Sequence, residues 1–390
     1  MTRVVVAADK FKGSLDASQV ARAVAAGLRR RAGADLDVVD VPVADGGDGT
    51  LDAVVSAGYT LRPVVASGPT GRPVETAYAA LGSTAVVELA AVCGLAQLPG
   101  GYPEPLRSSS YGLGQVIAAA LAGGATHLVV GIGGSASTDG GAGMLTALGA
   151  RILDAAGHPV PPGGAALAGA ASLDLRGLDP RIAAVEVTLA CDVDNPLVGP
   201  HGAAAVYGPQ KGATAGDIAT LDAALRRWAE VVAAATGTDL SAAPGAGAAG
   251  GVGLGALAVL GATMRPGIDL VLQLLGFEEL VRGARLVVTG EGSLDEQTLH
   301  GKVVTGVAAR AAAAGVPTVA VAGRVLLAGD QMAQAGITKA YALSDLQPDP
   351  VVSMRDAGPL VERAAERIAD DWLLDPAGDA DGSARQGAGA

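Results

Sequence analysis

The first sixty residues alternate between short apolar runs and stretches with helical spacing. Residues 3–8 (RVVVAA) are continuously apolar, which predicts a strand buried on both faces, and residues 17–31 place apolar side chains at helical intervals. Residues 36–43 read as a second strand and 50–57 as a second helix, the βαβα pattern of a parallel sheet. From Leu61 the texture changes. Residues 61–66 and 74–81 flank a GPTGRP turn at 68–73, which predicts a β-hairpin. Further short apolar runs at 86–90, 128–132 and 185–190, with Ala/Gly-rich helices between them, suit a mixed sheet. After Gly283 the first texture returns: strands at 286–289, 318–321 and 339–343, and a helix at 303–314. An ending that matches the beginning predicts one α/β domain, residues 1–65 with 285–374, interrupted by an inserted α/β domain at 66–284. Residues 375–390 have no apolar period and read as a disordered tail.

At 390 residues the chain is long for one domain, and an apolar fraction of 50% supports sizeable cores. Aromatic residues make up only 3%, so Ala and Gly carry much of the apolar character. The longest apolar stretch, 252–264, contains three glycines and is too short to span a bilayer of about 30 Å. The N-terminus shows no secretory pattern, so a cytoplasmic location is expected. A net charge of −12 disfavours nucleic acid and anionic membranes as partners. Small anions then need local sites. Cys93 and Cys191 give neither metal spacing nor a disulfide framework.

Lysine is scarce: it occurs only at 10, 12, 211, 302 and 339, all other cations being Arg. A lysine is a compact point charge suited to phosphate. Four of the five sit in Gly- or acid-rich loops. DKFKGS (9–14) follows the first strand, where open α/β sheets bind ligands, so Lys10, Lys12 and nearby N–H groups can face an anion. VADGGDGT (43–50) ends the second strand; its glycines admit close backbone approach, and Asp45 and Asp48 offer oxygen ligands or a general base. GIGGSASTDGGAG (131–143) is the densest small-residue loop and suits phosphate oxygens. Close helix packing would explain its glycines but not Ser135, Thr138 and Asp139 together. ACDVDNP (190–196) places Asp192 and Asp194 at a strand end; these suit Mg²⁺, with an Asx-turn before proline as the plain alternative.

GAGAAG (245–250) matches the dinucleotide fingerprint literally, but SAAP rather than a strand precedes it, so that reading is rejected. TGEGSLDEQTLHGK (289–302) is not a Walker loop either, since Glu296 stands where its first glycine belongs.

Taken together and in order, these stretches resemble the type I glycerate kinase family. The motifs are DKFKGS, VADGGDGT, IGGSASTDGGAG, ACDVDNPL, YGPQKGA, residues 245–253 and TGEG with Asp295 and Gly301-Lys302. The resemblance implies two α/β domains, a flavodoxin-like parallel-sheet domain split by an inserted mixed-sheet domain of restriction-endonuclease-like topology, with a cleft between them. It implies ATP-dependent phosphorylation of glycerate with the 2-hydroxyl favoured, and Mg²⁺ as cofactor. Within it, Gly133, Gly134, Ser135, Thr138, Asp139, Lys211 and Gly212 are expected around the ATP phosphates. Asp192 with Asp194 or Glu291 is expected on Mg²⁺. Lys10, Lys12 or Lys302 would neutralise the transferring group, and Asp45, Asp48 or Asp295 would orient or deprotonate the hydroxyl. Arg72, Arg265 and Arg324 remain open as partners of the glycerate carboxylate. A homodimer is compatible with this reading. The competing classes are a nucleotide-dependent oxidoreductase built on the Gly-rich loops and a non-catalytic sensor of phosphorylated metabolites.

Overall fold

The computed structural model describes residues 2–299 and 303–374. Its strands, in chain order, are β1 (Arg3–Ala8), β2 (Asp37–Asp40), β3 (Thr60–Ser67), β4 (Pro73–Leu81), β5 (Thr84–Glu88), β6 (His127–Gly131), β7 (Arg151–Leu153), β8 (Ser172–Asp174), β9 (Glu186–Ala190), β10 (Thr263–Arg265), β11 (Leu286–Leu294), β12 (Thr318–Val325) and β13 (Lys339–Ala342). They form two compact units, one from the described residues of Met1–Val43 and Gly276–Ala390, the other from Ala44–Leu275.

The first unit carries a five-stranded sheet in the order β13-β12-β11-β1-β2, every pairing parallel. The apolar run of β1 sits near its centre because both faces are covered, with Val4, Val5 and Val6 fully buried. Helix Ala17–Ala32 starts at Asp16, whose side chain accepts from Gln19 N at 2.7 Å while Gln19 Oε1 accepts from Asp16 N at 2.9 Å. It ends in Arg29, Arg30 and Arg31, cations that suit the negative end of the helix dipole. This helix packs against Ala357–Trp372. Gly27 makes the approach possible, since a Cβ there would stand 2.1 Å from the Glu362 carbonyl oxygen.

The second unit carries a six-stranded mixed sheet in the order β10-β9-β6-β5-β4-β3. β5, β6, β9 and β10 run parallel, and β3–β4–β5 form an antiparallel meander whose first hairpin turns at the expected GPTGRP. β7 and β8 make a separate two-stranded ribbon. Trp228, Leu113, Ile117, Met144 and Leu225 fill the core beneath.

Two findings differ from the sequence reading. The unit boundaries shift at both ends: residues 276–284 group with the first unit, and 44–65 with the second, because β3 pairs with β4 over eight register positions and Leu51 and Val54 pack with Val86 and Val129. The strand expected to stop at Thr289 runs on to Leu294, so the TGEGSL half of its motif is strand. Glycine allows it: a Cβ at Gly290 would fall 2.3 Å from Val321 O, and one at Gly323 would fall 2.5 Å from Gly292 O. Closely apposed parallel backbones read as punctuation in the sequence.

Candidate active site

In the second unit the candidate residues gather at the carboxyl ends of the parallel strands. The 45–49 loop lies on the ends of β6 and β9, backbone against backbone: a Cβ at Gly46 would be 2.7 Å from Ala190 Cβ, and one at Gly133 would be 2.8 Å from Gly47 Cα. Gly133 N donates to Gly46 O at 3.4 Å. Asp45 Oδ1 accepts from Gly47 N at 3.2 Å, and the Asp45 carbonyl abuts Gly267, where a Cβ would come within 1.9 Å. Gly267 N in turn donates to Asp192 Oδ1 at 2.7 Å. Asp45, Asp192 and Asp269 are thereby neighbours. Desolvation among the packed loops, then the Asp45 and Asp269 charges, push the Asp192 carboxyl up to about 6. Asp194 bears instead on Cys191 and Tyr207. Asp48 is exposed, on the side of Gly134.

Glu88, which the sequence reading left without a role, anchors this loop. Buried at the end of β5, it accepts from Leu51 N at 3.0 Å and Gly49 N at 3.4 Å, satisfying open donors of the helix Thr50–Ser56. Burial raises its carboxyl above the ordinary value, against those two bonds. A lone acid closing an apolar strand was the available signal.

The 131–143 loop is held from inside. Lys211, 2% exposed, donates from Nζ to Ser135 Oγ at 2.8 Å and to Ser137 O at 2.6 Å. Burial brings its ammonium down to about 7, opposed by the Asp139 charge. Gly212 follows in a left-handed turn at φ 81°. Asp139, 1% exposed, accepts from Ser110 N at 2.8 Å, Ser110 Oγ at 2.9 Å, and Gly141 N and Gly143 N at 3.2 Å. It ties the start of helix Ala142–Ala147 to the start of helix Tyr111–Ala122. Thr138 is fully buried and its Oγ1 has no hydrogen-bond partner among the described residues. The loop's inward side chains therefore set its shape, leaving the backbone of Gly133 and Gly134 at the strand end.

Residues 245–253 do not follow a strand; helix Ala215–Thr236 precedes them. Their glycines bring the backbone onto the 137–141 loop, Gly140 N donating to Gly250 O at 2.9 Å.

In the first unit, Lys12 is exposed in the turn after β1, and its backbone N lies 3.6 Å from where a Gly292 Cβ would stand. Lys10 N donates to Asp9 Oδ1 at 2.7 Å. Glu291, in register with Ala322, accepts from Thr298 Oγ1 at 2.5 Å. Asp295 accepts from Gln297 N at 3.0 Å and donates its own N–H to Thr298 Oγ1 at 3.1 Å, so Thr298 links the two carboxylate positions. Arg324 Nε donates to Ser293 Oγ at 3.0 Å. Lys302 lies outside the described residues.

Glycine backbone and clustered acids at the carboxyl edge of a parallel sheet are the build of an α/β enzyme that handles a small polar ligand. The Glycerate kinase family matches this chain over residues 4–373. A protein of Halalkalibacterium halodurans named glycerate kinase is 44% identical over 95% of this chain and 98% of its own length. One of Escherichia coli named glycerate 2-kinase is 44% identical over 82% and 85%. A crystal structure from Salmonella typhimurium described as a glycerate kinase 2 covers 96% of this chain and all of its own at TM-score 0.81 and 40% identity. The chain belongs to the glycerate kinase family and is an enzyme of that family. Among the described residues no helix is long and apolar enough to cross a membrane.

Proposed function

We propose that this enzyme transfers the γ-phosphoryl group of ATP to D-glycerate, with the 2-hydroxyl as acceptor and 2-phosphoglycerate as product, in the cytoplasm. The observation that carries the reading is the strand-end cluster of Asp45, Asp192 and Asp269 beside the Gly46–Gly133 backbone, in a chain of the glycerate kinase family. We read the two units as that family's flavodoxin-like domain and its inserted restriction-endonuclease-like domain.

Phosphoryl transfer asks a protein mainly for positioning and charge neutralisation. Mg²⁺ supplies charge against the phosphate oxygens when bound. The donor chemistry fits it: desolvation and then the Asp45 and Asp269 charges raise the Asp192 carboxyl, and a divalent cation would offset those like charges. Among the described residues no three His, Cys, Asp or Glu groups are arranged to hold a metal. Asp192 with Asp45 would hold it; Asp194 and Glu291 are the further carboxylates expected from the sequence. Gly133 and Gly134 would offer N–H groups to phosphate, on a loop shaped by Lys211, Ser135, Thr138, Asp139 and Gly212. Lys10, Lys12 and Lys302 would neutralise the transferring group. Asp48, or Asp295, would orient the glycerate hydroxyl and accept its proton.

The test is incubation with ATP, Mg²⁺ and D-glycerate, followed by ³¹P NMR of the product. ATP-dependent formation of 2-phosphoglycerate is expected. No ATP-dependent consumption of glycerate would overturn the function; 3-phosphoglycerate would overturn the acceptor position alone.

A further inference from the structure

The second unit encloses a cavity of about 490 Å³ that none of the roles above uses. It lies between the β3–β4 turn, the first turns of helices Tyr111–Ala122 and Ala142–Ala147, and residues 160–163. Ile152, Val160, Pro161, Pro162 and Leu167 make apolar wall, and Tyr111 adds a ring. Two charged side chains, Glu104 and Arg107, also line it. They sit on one turn closed by Arg107 N donating to Glu104 O at 3.0 Å, and neither side chain makes an ion pair or hydrogen bond among the described residues. Thr70, on the same lining, has a buried hydroxyl without a hydrogen-bond partner among the described residues.

Size and surface select the ligand. Cavities of roughly 300–1,000 Å³ hold drug-sized molecules, so a three-carbon hydroxy acid would leave most of this one, and its hydrocarbon wall, unfilled. A nucleoside matches each feature: a flat base against the proline and aliphatic wall, ribose hydroxyls donating to the Glu104 carboxylate, and a first phosphate facing the Arg107 guanidinium. Ala142 and Gly143, which end the 131–143 loop, also line the cavity. The geometry points to this cavity as the site of the nucleoside end of the phosphoryl donor. This rests on the kinase reading above.

Binding of ADP and of adenosine to the full-length enzyme, measured by isothermal titration, tests it. Arg107→Ala and Glu104→Gln alter exposed side chains, and Ile152→Trp fills the cavity. Arg107→Ala is expected to weaken ADP about tenfold or more while leaving adenosine nearly unchanged. Glu104→Gln and Ile152→Trp should weaken both ligands, with the KM for glycerate unaltered in each variant. Should Ile152→Trp fail to fold by circular dichroism, the two surface variants decide. Wild-type ADP affinity in both of them, in an enzyme that phosphorylates glycerate with ATP, overturns the cavity assignment alone. A wild-type enzyme that neither binds ADP nor phosphorylates glycerate overturns the kinase reading and this assignment with it.

Discussion

A buried lysine makes stability depend on pH in an uncommon direction. Lys211 titrates near 7 in the folded protein and near its ordinary 10.5 when unfolded. Between those values the unfolded chain binds the extra proton, so this group makes stability rise with pH from about 7 to 10.5, its destabilising effect being complete below 7. Lys211→Met is expected to remove that slope, read as the wild-type-minus-variant difference in Tm at pH 7 and pH 10. It should also lower activity by loosening Ser135 and Ser137. Asp139→Ala leaves several buried donors without an acceptor and should cost about 3–5 kcal/mol in denaturant unfolding. Cys93, whose thiol burial pushes up to about 12, should resist alkylation in the folded enzyme. These roles were hard to read in the sequence. Ser, Thr and Asp at a strand end spell an anion loop and an inward cap in the same letters, and only the burial of Lys211 and Asp139 separates the two. The scarcity of lysine singled out position 211 but said nothing of which way it faces.

At the scale of elements, the sequence was legible wherever an apolar run coincided with one strand or one helix. β1, the β3–β4 hairpin and the helix starting after Asp16 fell close to their expected limits. Legibility failed where glycine serves backbone contact instead of a turn, as along β11 and at Gly267. The same contacts yield predictions. Gly27→Ala forces a methyl into the Glu362 carbonyl and should destabilise by about 1–3 kcal/mol through the helix pair. Gly267→Ala meets the Asp45 carbonyl, so it should lower kcat/KM at least tenfold together with Tm, because it displaces Asp45 and Asp192 as a pair. A Gly267→Ala enzyme with wild-type kinetics would detach that pair from the reaction.

At the scale of the molecule, the second unit is one unbroken segment, 44–275, with its own core, whereas the first is assembled from both ends of the chain. A return of texture after Gly283 led to an expected insertion at 66–284; the compact segment differs from it at both edges, the near one because a βα alternation and the start of a meander look alike over twenty residues. The two ends of the segment meet where Asp45 touches Gly267, so residues 44–275 expressed alone should unfold cooperatively, as followed by circular dichroism on heating. The order of strands has a consequence for synthesis. β1 pairs with β2 on one side and with β11 on the other, and β11 leaves the ribosome some 240 residues after β2. At roughly 5–20 residues per second that is a wait of about 12–50 s. Through that interval the apolar β1 lacks its β11 neighbour, while the segment made in the meantime can complete its own fold.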